Sequence, residues 1–169
     1  MIEFKLVSSN DYDRLFKWLN TGKVLKWFGL NKLISKEDIA KKYSVTSDPK
    51  TKNYMIINND EPVGFIKTYL IRDYPDYFKY LGLDDNPAGF DIFIADEFRG
   101  KGLGVKAIKK FINKIIFSNP DIKRIIIGPE ESNLNAIKTY EKAGFKFLKL
   151  VSIPDEKERE YLMELNKNT

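Results

Sequence analysis

The sequence predicts an α/β (α+β) fold, a mixed central β-sheet covered by helices, in a single domain over residues 1–169. Three observations predict it. Short stretches that alternate apolar and polar residues, such as Ile2 to Val7, recur along the chain and read as strands. Between them apolar residues recur at helical spacing, as at Tyr12, Leu15, Phe16 and Leu19. Late in the chain helix and strand alternate around Ile125-Ile126-Ile127, an unbroken apolar run that fits a strand buried on both faces. At 169 residues and 43% hydrophobic, the chain is large enough to enclose a substantial core.

In chain order, the first strand is Ile2 to Val7, and Ser9 can cap the helix that follows. Asn20-Thr21-Gly22 ends that helix, and Val24 to Gly29 is a short apolar, aromatic segment. Ser35 starts a second helix, with Asp38 at the capping-box position, running to about Tyr43. Tyr54 to Ile57 and Val63 to Ile71 form a hairpin, with Asn58 to Pro62 as its turn. Arg72 to Pro87 is a long acidic and aromatic loop with room for a short helix around Tyr77 to Leu81. Gly89 to Ala95 is a strand, Gly102 to Phe117 a helix, and Ile122 to Ile127 a strand. Asn133 to Ala143 is a helix closed by Gly144, and Phe145 to Ile153 and Glu160 to Leu165 are the closing strands. There is no internal repeat and no long linker.

Composition narrows the chemistry. With no cysteine, the chain has no disulfide, thiolate metal site or thiol nucleophile. With no histidine, acid–base work falls to Asp, Glu, Tyr, Lys or water. No metal is expected. The start Met1-Ile2-Glu3-Phe4 lacks the pattern of a signal peptide, and no stretch approaches the roughly 18 apolar residues of a membrane span, so a cytoplasmic protein is expected. The net charge of +5 is uneven: Asp73 to Glu97 carries −6 and the remainder +11. A basic body suits an anionic partner and an acidic segment a cationic one, although a solvated acidic loop would look the same.

The most informative stretch runs from Ile92-Phe93-Ile94 through Arg99-Gly100-Lys101-Gly102-Leu103-Gly104. A strand enters a glycine-rich basic loop that opens a helix. Glycines let the backbone curl around an anion, helix N-terminal amides face it, and Arg99 and Lys101 add charge. A tight turn into a core-packing helix is the plainer alternative. Neither the Walker A spacing nor the dinucleotide fingerprint is present.

Arg99-x-x-Gly102-x-Gly104 resembles the acetyl-CoA pyrophosphate loop of the GNAT acetyltransferases. Asn133, Ala136, Tyr140, Gly144 and Phe145 match that family's second motif, about thirty residues on. Trp18-Leu19-Asn20, Val24, Trp27-Phe28-Gly29, Asp60 to Phe65 and Gly89-Phe90-Asp91 further resemble aminoglycoside 6′-N-acetyltransferases. The resemblance implies helices on both faces of the sheet, a splayed parallel strand pair, and acetyl-CoA as cofactor. It implies that Arg99, Gly100, Lys101, Gly102, Leu103 and Gly104 hold the pyrophosphate, and that the backbone of Ile92, Phe93 and Ile94 meets the pantetheine arm. Asn133 would lie near that arm, with a helix N-cap as its alternative role.

The resemblance makes Tyr140 the general acid and Asp91 the residue that takes a proton from the substrate ammonium. A packed core tyrosine and a solvent-facing strand carboxylate are the respective alternatives. Trp27 and Phe28 would wall a substrate pocket, though Phe28 suits the core equally, and Asp84, Asp85 and Glu130 would anchor a cationic amine. One departure stands out: Gly128-Pro129 replaces the Asp-Pro usual in those enzymes, removing an expected carboxylate that Glu130 or Glu131 could replace.

The expected reaction is direct acetyl transfer to a primary amine in a ternary complex, foremost the 6′-amine of an aminoglycoside. Alternative acceptors are a protein N-terminus, a lysine or a small metabolic amine. A CoA-sensing or nucleic-acid-binding module is the non-catalytic alternative; salt-sensitive nucleic-acid binding would mark the latter. The partner expected is a small cationic amine, without nucleic acid or membrane; the oligomeric state stays open.

Overall fold

A computed structural model describes residues 1–45 and 47–168. Its strands form a mixed sheet in the order β1-β2-β3-β4-β5-β7-β6. These are β1 (Ile2–Leu6), β2 (Thr51–Asn58), β3 (Glu61–Leu70), β4 (Ala88–Ile94), β5 (Arg124–Ile127), β6 (Lys146–Val151) and β7 (Glu160–Asn166). The helices are α1 (Tyr12–Leu19), α2 (Lys36–Tyr43), α3 (Pro75–Leu81), α4 (Leu103–Phe111) and α5 (Leu134–Lys142). The chain forms two compact units, Met1–Lys67 with Asp91–Ala107, and Thr68–Phe90 with Ile108–Thr169.

In the first unit β1 and β2 are antiparallel, with Ile2 opposite Asn58 and Leu6 opposite Tyr54. The β2–β3 turn narrows to Asn59 and Asp60, at φ +50° and +66°. Two left-handed residues match the twist of paired strands, and Asn and Asp tolerate that conformation. Glu61 and Pro62, expected in the turn, therefore already belong to β3. The chain enters α1 through a 3-10 turn over Ser9–Asp11. Ser8, not Ser9, is the residue that meets the Asp11 carboxylate, its N–H donating at 2.9 Å. Ser35 caps α2 as expected, its hydroxyl accepting from the Asp38 N–H at 3.1 Å. The core packs Leu15, Trp18, Leu19, Ile39, Tyr43 and Met55 with Phe65 and Phe93, whose rings stack at 5.5 Å.

In the second unit β4 and β5 are the parallel pair, with Ala88 opposite Ile125. β7 lies between β5 and β6, antiparallel to both. Ile125, Ile126 and Ile127 are all buried, as their unbroken apolar run requires. The acidic loop contains a helix, α3, which begins with Pro75 in its first turn and ends at Gly82 in the left-handed conformation. The helix expected from Gly102 to Phe117 is α-helical only to Phe111 and widens into a π turn at Ile112–Ile116. There the β-branched Ile112, Ile115 and Ile116 crowd the ordinary helical spacing. Among the described residues no helix is long and apolar enough to cross a membrane.

Candidate active site

The glycine loop of the first unit is built from the end of β4. Ala95 N–H donates to the Val63 carbonyl at 2.9 Å, and a 3-10 turn over Asp96–Phe98 lifts the chain from the sheet. Gly100 and Gly102 follow at φ +78° and +71°. A Cβ on either would meet nothing within 4 Å, so glycine is needed for its conformation and not for want of space. The backbone beside them lies open immediately before α4. A left-handed turn next to a helix start is a recurrent cradle for phosphate oxygens, so the loop fits a pyrophosphate. Lys101 stands exposed on the same loop.

Asp96 and Glu97, read from sequence only as part of an acidic stretch, anchor this loop. Asp96 Oδ2 accepts from the Lys23 N–H at 2.8 Å, and Glu97 Oε1 from Trp18 Nε1 at 3.1 Å. Asp96 Oδ1 lies 3.2 Å from Arg99 Nε. That nitrogen is buried without a well-directed hydrogen bond, so the Asp96–Arg99 attraction is one of charge. Gly22, at φ +54°, lets the end of α1 approach: a Cβ there would collide with the Asp96 carboxylate.

Asp91 lies just upstream on β4, half-buried, with its carboxylate 3.1 Å from Lys67 Nζ on β3. Burial pushes the Tyr43 phenol up to about 12, and the negative charge of Asp91 adds to the shift. Burial lowers the Lys42 ammonium, Lys67 lowers it further, and Asp91 opposes both. Asp91 therefore pairs with Lys67 and lies within electrostatic reach of Lys42, which nothing in the sequence indicated, because these lysines lie on β3 and α2. Ile92 and Ile94 are half-buried and Phe93 is buried. Trp27 is half-buried, with Lys26 Nζ 4.7 Å from its ring centroid. Phe28 packs edge-on against Phe93 and Phe65 at 4.9 and 5.9 Å, and so serves the core.

In the second unit Asn133 caps α5, its Oδ1 accepting from the Ala136 N–H at 3.3 Å. Tyr140 is half-buried, with its ring 5.9 Å from Phe90 and 6.0 Å from Phe145. Asp85 is committed to Arg124, at 2.7 Å, whereas the Asp84 side chain is exposed. Arg72 gathers the carbonyls of both residues at 2.8 and 3.0 Å. Glu131 is held by Arg159 through two bonds of 3.1 and 2.9 Å. Glu130 is half-buried and forms a β-bridge with Glu160. Glu160, which the sequence reading had only as the first residue of a strand, is buried and accepts from the Tyr77 hydroxyl at 2.6 Å. A lone Glu opening a strand gives no sign of burial.

Residues 8–153 match the family model for the acetyltransferase (GNAT) domain. The chain is 30% identical over 158 residues to an aminoglycoside N(6′)-acetyltransferase type 1 of Klebsiella pneumoniae, covering 91% of this chain and 78% of that one. Among solved structures it is similar to the aminoglycoside acetyltransferase AAC(6′)-Ib with coenzyme A and kanamycin, at TM-score 0.82 and 26% identity. That likeness covers 99% of this chain and 95% of the other. A spermidine N-acetyltransferase of Vibrio cholerae with CoA and spermine shares the fold, at TM-score 0.76 and 16% identity, over 98% of this chain and 95% of that one.

Proposed function

We propose that this chain, which belongs to the GNAT acetyltransferases and is an acetyl-CoA-dependent N-acetyltransferase, takes the 6′-amine of an aminoglycoside as its acceptor. The observation that carries the substrate is the 30% identity to an aminoglycoside N(6′)-acetyltransferase across 91% of the chain. The need for acetyl-CoA supports a cytoplasmic location.

When bound, acetyl-CoA supplies the acetyl group as a thioester. The amides of Gly100 to Gly104, with Arg99 and Lys101, hold the pyrophosphate, and the Ile92 to Ile94 backbone orients the pantetheine arm. Asn133, whose oxygen is occupied by its helix cap, contributes to that arm through α5. An ammonium has no lone pair to attack with, so Asp91 takes its proton, directly or through water. The Tyr140 hydroxyl holds the proton released to the leaving group as transfer completes. Trp27 walls the acceptor and Asp84 draws its positive charge.

The test is steady-state CoA release with kanamycin, tobramycin, a polyamine and an N-terminal peptide as acceptors. Turnover of the aminoglycosides, lost when the 6′-amine is replaced by hydroxyl, is expected. Turnover confined to the polyamine or the peptide would move the acceptor to another amine class.

A further inference from the structure

A cleft of about 350 Å³ opens at the end of α4, wholly within the second unit, and none of the residues assigned to acetyl transfer lines it. Small-molecule sites occupy roughly 300–1,000 Å³, so the cleft suits a small ligand. Part of its wall is apolar: Ile112 and Ala143 are buried, and Phe117 and Leu165 are half-buried. The rest is polar and of one sign. Lys109 and Lys167 bring two ammonium groups, and Asn113, Asn166 and Asn168 complete the lining. Among the described residues no carboxylate lines it.

Lys167 is fixed before any ligand arrives. Its Nζ donates to the Phe117 carbonyl at 2.8 Å and lies 5.5 Å from the centre of that ring. Its backbone N–H donates to the Lys123 carbonyl at 2.8 Å. An ammonium carries three donors, so two remain for a ligand, and a side chain already held loses less entropy on binding. Lys109 is exposed and has no ion-pair partner among the described residues. The π turn shapes the same place. The Phe117 N–H reaches back five residues to the Ile112 carbonyl at 2.8 Å, and Ile112, Asn113 and Phe117 all line the cleft. Such widened turns recur at functional sites. The surrounding charge agrees: Phe98 to Pro120 contains no acid but carries Arg99, Lys101, Lys106, Lys109, Lys110 and Lys114.

We infer that this cleft is a second ligand site, one that takes a phosphate monoester of a small apolar group. Lys109 and Lys167 pair with the phosphate, for which lysine is a suitable point charge, and the asparagine amides supply neutral donors. The apolar group lies against Ile112, Phe117 and Leu165. The site involves neither the acceptor nor the glycine loop, so it stands or falls apart from the aminoglycoside reading.

The experiment is an NMR titration of phenyl phosphate into 15N-labelled protein saturated with CoA, which keeps the probe off the glycine loop. The backbone amide signals of Asn113, Asn166 and Asn168 should shift saturably, with a dissociation constant below about 1 mM. Phenol, which lacks the phosphate, and inorganic phosphate, which lacks the ring, should each bind at least about tenfold more weakly. Lys167→Met and Lys109→Met should each weaken phenyl phosphate at least about fivefold, and Lys109, being exposed, can be replaced without disturbing the fold. No saturable shift at these amides up to about 10 mM overturns the inference. So does phenol or inorganic phosphate binding as tightly as the ester, or either variant binding it within about twofold of wild type.

Discussion

At the scale of the residue, the proposed role of Asp91 as the base has to work against the charge around it. The Lys67 ammonium lies 3.1 Å away, so a cationic acceptor approaching Asp91 as proposed would have to compete with a resident cation. The place of Asp91 on the strand before the glycine loop was legible in the sequence; its pairing with Lys67 was not, because pairing across β3 and β4 is a tertiary fact. Replacing Asp91 with Asn keeps the shape and removes the base. kcat/KM should fall by about 100-fold or more, with the dissociation constant for acetyl-CoA nearly unchanged, and normal turnover would remove Asp91 from the mechanism. The same cluster predicts a pH effect. The Tyr43 phenol is pushed up to about 12 in the folded protein, above its ordinary value of 10.0. The folded state therefore holds that proton more tightly than the unfolded one. Its stabilising contribution is complete below about pH 10 and is lost as pH rises through about 12, a change of roughly 2–3 kcal/mol. Denaturant unfolding between pH 9 and 12 measures it, and Tyr43→Phe should flatten that part of the profile.

At the scale of the element, the glycine loop shows what a motif can and cannot convey. Gly100 and Gly102 were readable as backbone that must curl, and both adopt positive φ. The supports of the loop were not readable. Asp96 and Glu97 looked like part of a cation-attracting stretch, yet their carboxylates bind the Lys23 amide and the Trp18 indole. Local charge was visible in the sequence, but the destination of each charge was not. Asp85 carries the same lesson, its carboxylate bound to Arg124, whereas the helix cap made by Asn133 was one of the two roles its sequence position offered. Gly22 gives the sharpest test. Alanine there must take a left-handed φ of +54° and displace the Asp96 carboxylate. Gly22→Ala should cost about 1–3 kcal/mol of folding stability from backbone strain alone. It should also raise KM for acetyl-CoA, because Asp96 is the strut beneath Arg99. Stability loss without any change in that KM would show that the strut and the cofactor loop are independent.

At the scale of the whole molecule, strand and helix identities followed from periodicity. The exceptions were sites where local geometry departs from an ideal element, such as the π turn at Ile112–Ile116. The charge pattern was only half legible: of the acids between Asp73 and Glu97, Asp85, Asp91, Asp96 and Glu97 all have protein partners. Glu160, distant in sequence from that stretch, is the buried carboxylate among the described residues. The basic remainder, which carries +11, is the larger electrostatic feature and suits an anionic cofactor. A ligand that binds only the folded chain stabilises it by mass action, by about 2.7 kcal/mol at a hundredfold excess over its dissociation constant. For a chain of 169 residues each kcal/mol raises Tm by about 2–4 °C. Acetyl-CoA at that excess should therefore raise Tm by roughly 5–10 °C in a thermal scan. Replacing Lys101 with Gln should shrink the rise at the same ligand concentration, and added salt should shrink it further by screening the exposed charge. A rise of undiminished size in Lys101→Gln would leave pyrophosphate recognition to the backbone amides of Gly100 to Gly104 and to Arg99. Screening by salt would then act mainly through Arg99, whose charge is already partly offset by Asp96.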